Sequence, residues 1–256
     1  MDAITPAALA QSLASDRPPL VIDVRRNERF LESGHLIDGA LHRDPLRVAD
    51  WKRTLPAGAQ IVVYCVHGHE VSRGVAQALG ARYLEGGIEA WRGSLDCKPK
   101  GAATRWVTRE RPKIDRIACP WLIRRFVDPG AEFFYVPANE VRRTAEAREA
   151  IPYDIPDVAF SHVGDACSFD AFLKHFNLLH DPALHELAVI VRGADTHRLE
   201  LAPQAAGLAA LSLGLSITHK NDYEMLEHGM TMYDALYAWC KEGKSEVHTW
   251  NPAAYR

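Results

Sequence analysis

The sharpest chemical signal in the 256-residue sequence is one cysteine in the run IVVYCVHGHEVSRGVAQALG. An apolar, strand-like stretch ends at Cys65, and a short loop with Gly68 leads into a helical pattern that starts near Val71. A thiol in that position lies beside the positive end of a helix dipole and among backbone N–H groups, which together stabilise an anion. A cysteine so placed has its pKa lowered from about 8.5 and attacks as a thiolate at neutral pH. The same cradle would hold a persulfide anion. Gly68 lets the loop curl, because glycine takes positive φ without steric cost. The residue type alone leaves a second reading open, in which Cys65 is a small apolar residue closing a buried strand.

The loop that follows the thiol is Val66, His67, Gly68, His69, Glu70 and Val71. His67 and His69 could add positive charge, shuttle a proton or simply sit in solvent. Glu70 opposes a small dianionic substrate by charge. A more diffuse set lies downstream. His162 and Cys167 share one stretch ahead of SFDAF, a mixed nitrogen and sulfur pair that could begin a transition-metal site completed by Glu132 or Asp195. Their spacing matches no standard zinc motif, and the bland alternative has Cys167 preceding a helix capped by Ser168 and His162 bonded in the core. Asp115 and His197 are further polar residues to weigh. Cys119 before Pro120 reads as packed, whereas Cys97 could relay sulfur from Cys65.

The elements that must position these groups fall into two halves. LVIDV at 20–24 and IVVY at 61–64 are continuous apolar runs, as expected for strands covered on both faces of a parallel sheet, and 71–82 has a helical pattern. The first half therefore reads as α/β. Residues 93–113 are rich in Gly, Pro and charge and form the linker candidate, with a boundary placed near 103. Residues 1–103 are then one domain and 104–256 another. Beyond the boundary, helices are predicted at 115–127, 139–149, 168–177, 182–193, 204–218 and 222–241, with strands at 132–136 and 157–161, giving an α-rich α+β domain. The stretch 105–137 interleaves arginine with Trp106, Trp121 and several Phe, a composition open to an anion pocket, a nucleic-acid contact or a partner surface, or to a plain amphipathic helix with Ile117, Trp121 and Ile123 or Leu122 in the core and Arg124 and Arg125 in solvent.

Composition narrows the function classes. With 30 Lys and Arg against 33 Asp and Glu, the net charge of −3 supplies no field to draw the chain to nucleic acid or an anionic membrane. No stretch approaches the roughly 18–20 apolar residues of a membrane span, and the N-terminus lacks a basic segment followed by an apolar block, so a cytoplasmic location is expected. Five cysteines with no CxxC pair argue against a disulfide framework or a zinc ribbon. There is no dinucleotide fingerprint to support a redox cofactor.

Both halves resemble known families. IDVRRNERFLESGHLIDGALH at 22–42, YCVHGHEVS and LEGGIEAWRGSL at 84–95 resemble, in order and spacing, the motifs of the rhodanese family. The resemblance implies a parallel sheet with helices on both faces and a sulfurtransferase that needs no cofactor. Cys65 would take sulfur from a small-molecule donor and pass it to a thiol or cyanide acceptor. Asp23 and Arg25 match the first motif as supports of the loop. Family members commonly have an arginine, often followed by a serine, near the end of the loop; this chain has Glu70 and Val71 at those positions, with Ser72 and Arg73 directly after them.

WVTRERPKIDRIACPWLIRRFVDP, DIPDVAFSHVGDACSFDAF at 154–172, VRGADTHRLELAPQAAGL at 191–208 and MTMYDALYAWC at 230–240 resemble the C-terminal domain of ChrB-type chromate resistance proteins. That resemblance implies a link to chromate resistance or oxidative stress, with an oxyanion such as chromate as a candidate ligand. A different segment precedes this domain in regulatory members, so no nucleic-acid partner is carried over, and no membrane partner is expected. The enzyme reading competes with a sensory or binding protein that recognises chromate, a metal or a partner.

Overall fold

The computed structural model describes residues 2–33, 35–55, 58–93, 95–97, 104–179 and 181–244. The chain enters through an edge strand, β1 (Ala3–Ile4), and helix α1 (Pro6–Leu13), whose start is set by Thr5 accepting the Ala8 N–H and by Pro6 in the first turn. There follow β2 (Leu20–Asp23), α2 (Asn27–Glu32), β3 (His35–Ile37), β4 (Leu41–His42), α3 (Val48–Trp51), β5 (Ile61–Tyr64), α4 (Glu70–Leu79), β6 (Arg82–Leu84), α5 (Gly87–Ala90) and β7 (Leu95–Cys97). Five strands form one sheet in the order β1-β6-β5-β2-β4, every pair parallel, while β3 and β7 pair antiparallel.

Strand alternation explains the unbroken apolar runs. Leu20, Ile22 and Val63 face one side with Trp51 of α3 and Val75 and Ala76 of α4. Val21, Val62 and Tyr64 face the other with Leu9 of α1 and Ile88 of α5. Both faces are covered, so neither strand can carry a solvent-facing polar residue.

The second half is helix-rich: β8 (Arg105–Arg109), α6 (Asp115–Leu122), β9 (Glu132–Val136), α7 (Val141–Arg148), β10 (Ile151–Pro152), α8 (Ser168–His175), α9 (Pro182–Asp195), α10 (Ala205–Thr218) and α11 (Asp222–Ala238). Its three strands form a parallel sheet in the order β10-β8-β9. Two expectations need correction. The linker candidate at 93–113 contains β7 and β8, and β8 is the central strand, with Trp106, Val107 and Thr108 buried. The boundary placed at 103 lies outside the described residues. The strand expected at 157–161 does not form. Pro156 and left-handed backbone at Asp154 and Asp157 break the extension, and only an isolated bridge joins Phe160 to Tyr153. The third strand is β10 instead.

One apolar cluster runs from Leu20 and Val63 of the first sheet into Trp106, Ile117, Trp121 and Phe172 of the second half. At this junction lies Arg43, which follows β4 and is buried; its guanidinium donates to the carbonyls of Phe126 and Val127, at the end of the widened helical turn 123–127. Those terminal carbonyls have no helical partner, and a cation at a helix C-terminus satisfies them and complements the dipole. Burial pushes the Arg43 pKa down to about 10, so the group stays charged at neutral pH. No described helix is long and apolar enough to cross a membrane. Replacing Arg43 by leucine leaves two buried carbonyls without donors and is expected to cost about 1–3 kcal/mol. The check is a fall in the urea midpoint of the whole chain; an unchanged midpoint would show that Arg43 does not hold this junction.

Candidate functional site

Cys65 follows the last residue of β5, and helix α4 begins five residues later at Glu70. The intervening loop is bound from below by the glycine turn that opens α5. The Ile88 N–H donates to the Cys65 carbonyl at 3.0 Å and the Glu89 N–H to the Val66 carbonyl at 3.3 Å. With those carbonyls turned down, the loop N–H groups are left facing the thiol. This close approach requires glycine: Gly87 has φ +58°, and a Cβ there would collide with the carbonyls of both Cys65 and Val66. Gly68, at φ +70°, packs equally tightly against the Leu84 carbonyl.

The Cys65 side chain is mostly enclosed, at 7% exposure. Its Sγ lies 3.2 Å from the Ser72 hydroxyl in the first turn of α4. Burial pushes the thiol pKa up, but the Ser72 hydroxyl and the N–H groups of Ser72, His69 and His67 outweigh it and lower the pKa overall. A cavity of about 580 Å³ opens above the sulfur, lined by Arg25, Arg26, Arg29, His67, Glu70 and Glu89, together with Val66, His69 and Val71 of the loop. His67 Nε2 lies 3.3 Å from Glu89 Oε1 at the mouth.

Beneath the loop, Asp23 accepts from the Arg25 Nε at 2.9 Å and from the Tyr64 hydroxyl at 2.9 Å, and Arg25 also donates to the His35 carbonyl. Burial pulls the Arg25 pKa down, and the bonded Asp23 carboxylate more than offsets it. Asp23 and Arg25 thus brace the end of β5, with Arg25 also reaching the cavity. Arg73 does not join them: its guanidinium sits 5.1 Å over the Tyr83 ring and it does not line the cavity. The place expected for it is taken by Ser72 in the first turn of α4, by Arg26 just ahead of α2 and by Arg29 within α2, none of which sequence reasoning singled out as site residues. The helix register puts position 72, not 73, over the sulfur.

A second cluster forms in the other half. His162 Nε2 lies 3.3 Å from Asp115, 3.4 Å from Asp154 and 3.2 Å from Asp195. Asp115 opens α6 after Ile114, whose strained φ of 48° is held by Ser212 Oγ accepting its N–H and by the Tyr233 hydroxyl donating to its carbonyl. Asp115 drives the His162 pKa up to about 9, against the opposing pull of burial. Burial, then the Asp115 charge, raises Asp195.

Of the metal candidates, His162 and Asp195 are brought together, while Glu132 and Cys167 are not part of the cluster. Glu132 opens β9 on its exposed side and bonds Arg105. Cys167, rather than Ser168, caps α8; its backbone N–H and thiol both point at Asp170, and burial raises its pKa strongly. Ser168 donates instead to Asp154. The larger cleft between α1 and α8, about 780 Å³, is lined by neither Cys65 nor these carboxylates.

Comparison with known proteins matches the same two halves. The rhodanese-like domain family matches residues 5–94, and the family described as ChrB, C-terminal domain, matches residues 106–240. Protein ChrB of Cupriavidus metallidurans is 34% identical over 133 residues, which cover 52% of this chain and 40% of that protein. Thiosulfate sulfurtransferase GlpE of Pseudomonas fluorescens is 32% identical over 92 residues, covering 34% of this chain and 82% of that protein. A rhodanese-like domain protein of Staphylococcus aureus is 24% identical and covers 38% of this chain and 99% of that chain, with a TM-score of 0.35.

Ser72→Ala removes the hydroxyl that faces the thiolate, so the Cys65 pKa should rise. Iodoacetamide alkylation of Cys65 at pH 7, taken as the difference from Cys65→Ser, should slow roughly three- to tenfold and recover at high pH. An unchanged rate profile would remove Ser72 from the site.

Proposed function

We propose, for a chain that belongs to the ChrB C-terminal domain family and carries a rhodanese-like domain ahead of it, that it is a sulfurtransferase working through a persulfide on Cys65. The observation that carries this reading is the Sγ of Cys65 set among the N–H groups of His67, His69 and Ser72 and the Ser72 hydroxyl. Such a cradle favours an anion on the sulfur both before and after transfer.

In the first step the Cys65 thiolate attacks the outer sulfur of a donor. With thiosulfate, the new S–S bond forms as the donor's S–S bond breaks, and sulfite leaves with the electron pair. The persulfide keeps the single negative charge that the thiolate had. In the second step a thiophilic acceptor takes the outer sulfur and the thiolate is restored; cyanide leaves as thiocyanate. No proton or external electron is needed with these partners.

Arg26 and Arg29 attract an anionic donor to the cavity, and Glu70 and Glu89 oppose it. The acidic residues favour donors of low charge or a persulfide over thiosulfate. We place this chemistry in chromate resistance or oxidative stress in the cytoplasm, a reading supported by the similarity of the second half to ChrB. Glu70 also favours a second reading, in which the first half binds an anion or partner without turnover.

Thiocyanate formation from cyanide, measured with thiosulfate, 3-mercaptopyruvate and glutathione persulfide, separates the two. The proposal expects turnover with at least one donor and none in Cys65→Ser. Glu70→Gln should raise kcat/KM for thiosulfate more than for 3-mercaptopyruvate, which carries one negative charge fewer. Absence of turnover with all three donors would leave the binding reading.

A further inference from the structure

We infer that the second half carries a binding site for a first-row divalent transition ion, held by His162 Nε2 and the carboxylates of Asp115, Asp154 and Asp195. The four residues come from different places in the chain: the first residue of α6, the turn after β10, the loop before α8 and the last residue of α9. Each is placed by its own element: Asp115, Asp154 and His162 offer ligand atoms that lie close to one another, and Asp195 faces His162 Nε2 from the end of α9.

The distances distinguish an ion shell from a hydrogen-bonded histidine. An imidazolium N–H bonded to a carboxylate stands about 2.7–2.9 Å from one oxygen. Here Nε2 is 3.2, 3.4 and 3.3 Å from oxygens of Asp195, Asp154 and Asp115, near none of them and nearly equidistant from all. Ligand atoms about 2.1 Å from a shared ion are separated from each other by about 3.0–3.4 Å at octahedral to tetrahedral angles. The observed spacing is that of neighbouring ligands. One atom of each of Asp115, Asp154 and His162 lies within 4.8 Å of the others.

The second observation is an orphan. The Asp115 side chain is only 3% exposed, and its Oδ2, the oxygen facing His162, accepts no hydrogen bond. A buried carboxylate oxygen left without a donor is costly, and a cation would satisfy it. Asp154 is pre-set for the same task. Arg109 and Arg116 hold its Oδ2 at 2.7 and 3.2 Å, which leaves Oδ1, bonded by Ser168, on the His162 side. These outer contacts fix the carboxylate's orientation as supporting groups do around metal ligands. His162 is 40% exposed along its side chain, which gives an ion a way in from solvent.

The donor set names the ligand class. Three carboxylates and one imidazole, with the Cys167 thiol directed at Asp170, make a hard site with one borderline nitrogen. That combination suits Mn²⁺ or its first-row neighbours rather than a thiolate-seeking ion, and the nitrogen argues against Mg²⁺ or Ca²⁺.

The test is titration of Mn²⁺ into the full chain, with free Mn²⁺ followed by its room-temperature EPR signal. We expect one equivalent to be taken up in a His162-dependent manner, with His162→Ala weakening it at least about tenfold. His219 at the end of α10 and Glu224 and His228 in the first turns of α11 form another close group, so His228→Ala is the control and should bind as the parent does. Because Asp115 is buried, Asp115→Asn serves as a second variant, read only alongside its circular dichroism. Cys65→Ser should also bind normally, which separates this inference from the sulfur chemistry. No uptake of Mn²⁺ or Zn²⁺ at millimolar concentration, or uptake that survives His162→Ala and is lost in His228→Ala, would overturn it.

Discussion

Two backbone hydrogen bonds, from Ile88 and Glu89 to the carbonyls of Cys65 and Val66, set the geometry on which the sulfur site depends. A peptide unit whose carbonyl is held on one side presents its N–H on the other. Fixing those carbonyls against the glycine turn therefore lets the loop's donors gather around Sγ. The thiol is buried, and burial alone would make it inert. The donors reverse the sign of that effect, and the direction of the Cys65 pKa follows from their number rather than from one charged neighbour. The network of Asp23, Arg25 and Tyr64 keeps the end of β5 from moving under the loop.

The same β-sheet serves a second purpose. Its face formed by Leu20, Ile22 and Val63 continues into the core of the helix-rich half, so the two matched families share one apolar cluster. Arg43 reinforces this by a polar route, supplying donors where the helical turn 123–127 runs out of them. The sulfur loop and the His162 cluster are thus features of one packed molecule, built on opposite principles. Around Cys65 many neutral donors face one anion; around His162 three carboxylates face one ring.

Much of the first half was legible because its chemistry is local. The apolar runs at 20–24 and 61–64, the cysteine at a strand end and the glycines of the closing turn are all fixed by neighbours in sequence. What escaped depends on direction in space. Whether position 72 or 73 faces the sulfur is a matter of helix phase one turn in, and Arg26 and Arg29 reach the cavity only because α2 lies beside it. In the second half, His162 and Asp195 were legible as residue types, but Asp154 hides in a turn whose left-handed backbone only the structure reveals. Glu132 was drawn in by its acidity, yet as the first residue of β9 it faces outward. β8 is hidden in the sequence because its arginines and the surrounding Gly, Pro and charge mask the short buried run Trp106, Val107 and Thr108.

The central claim is that the Cys65 cradle holds a sulfur anion, and it is tested most directly by intact mass of the full chain after exposure to a persulfide donor and removal of excess. The account predicts a gain of one sulfur atom that cyanide removes and that Cys65→Ser does not acquire. A chain whose mass is unchanged, or a gain that persists in Cys65→Ser, would contradict it.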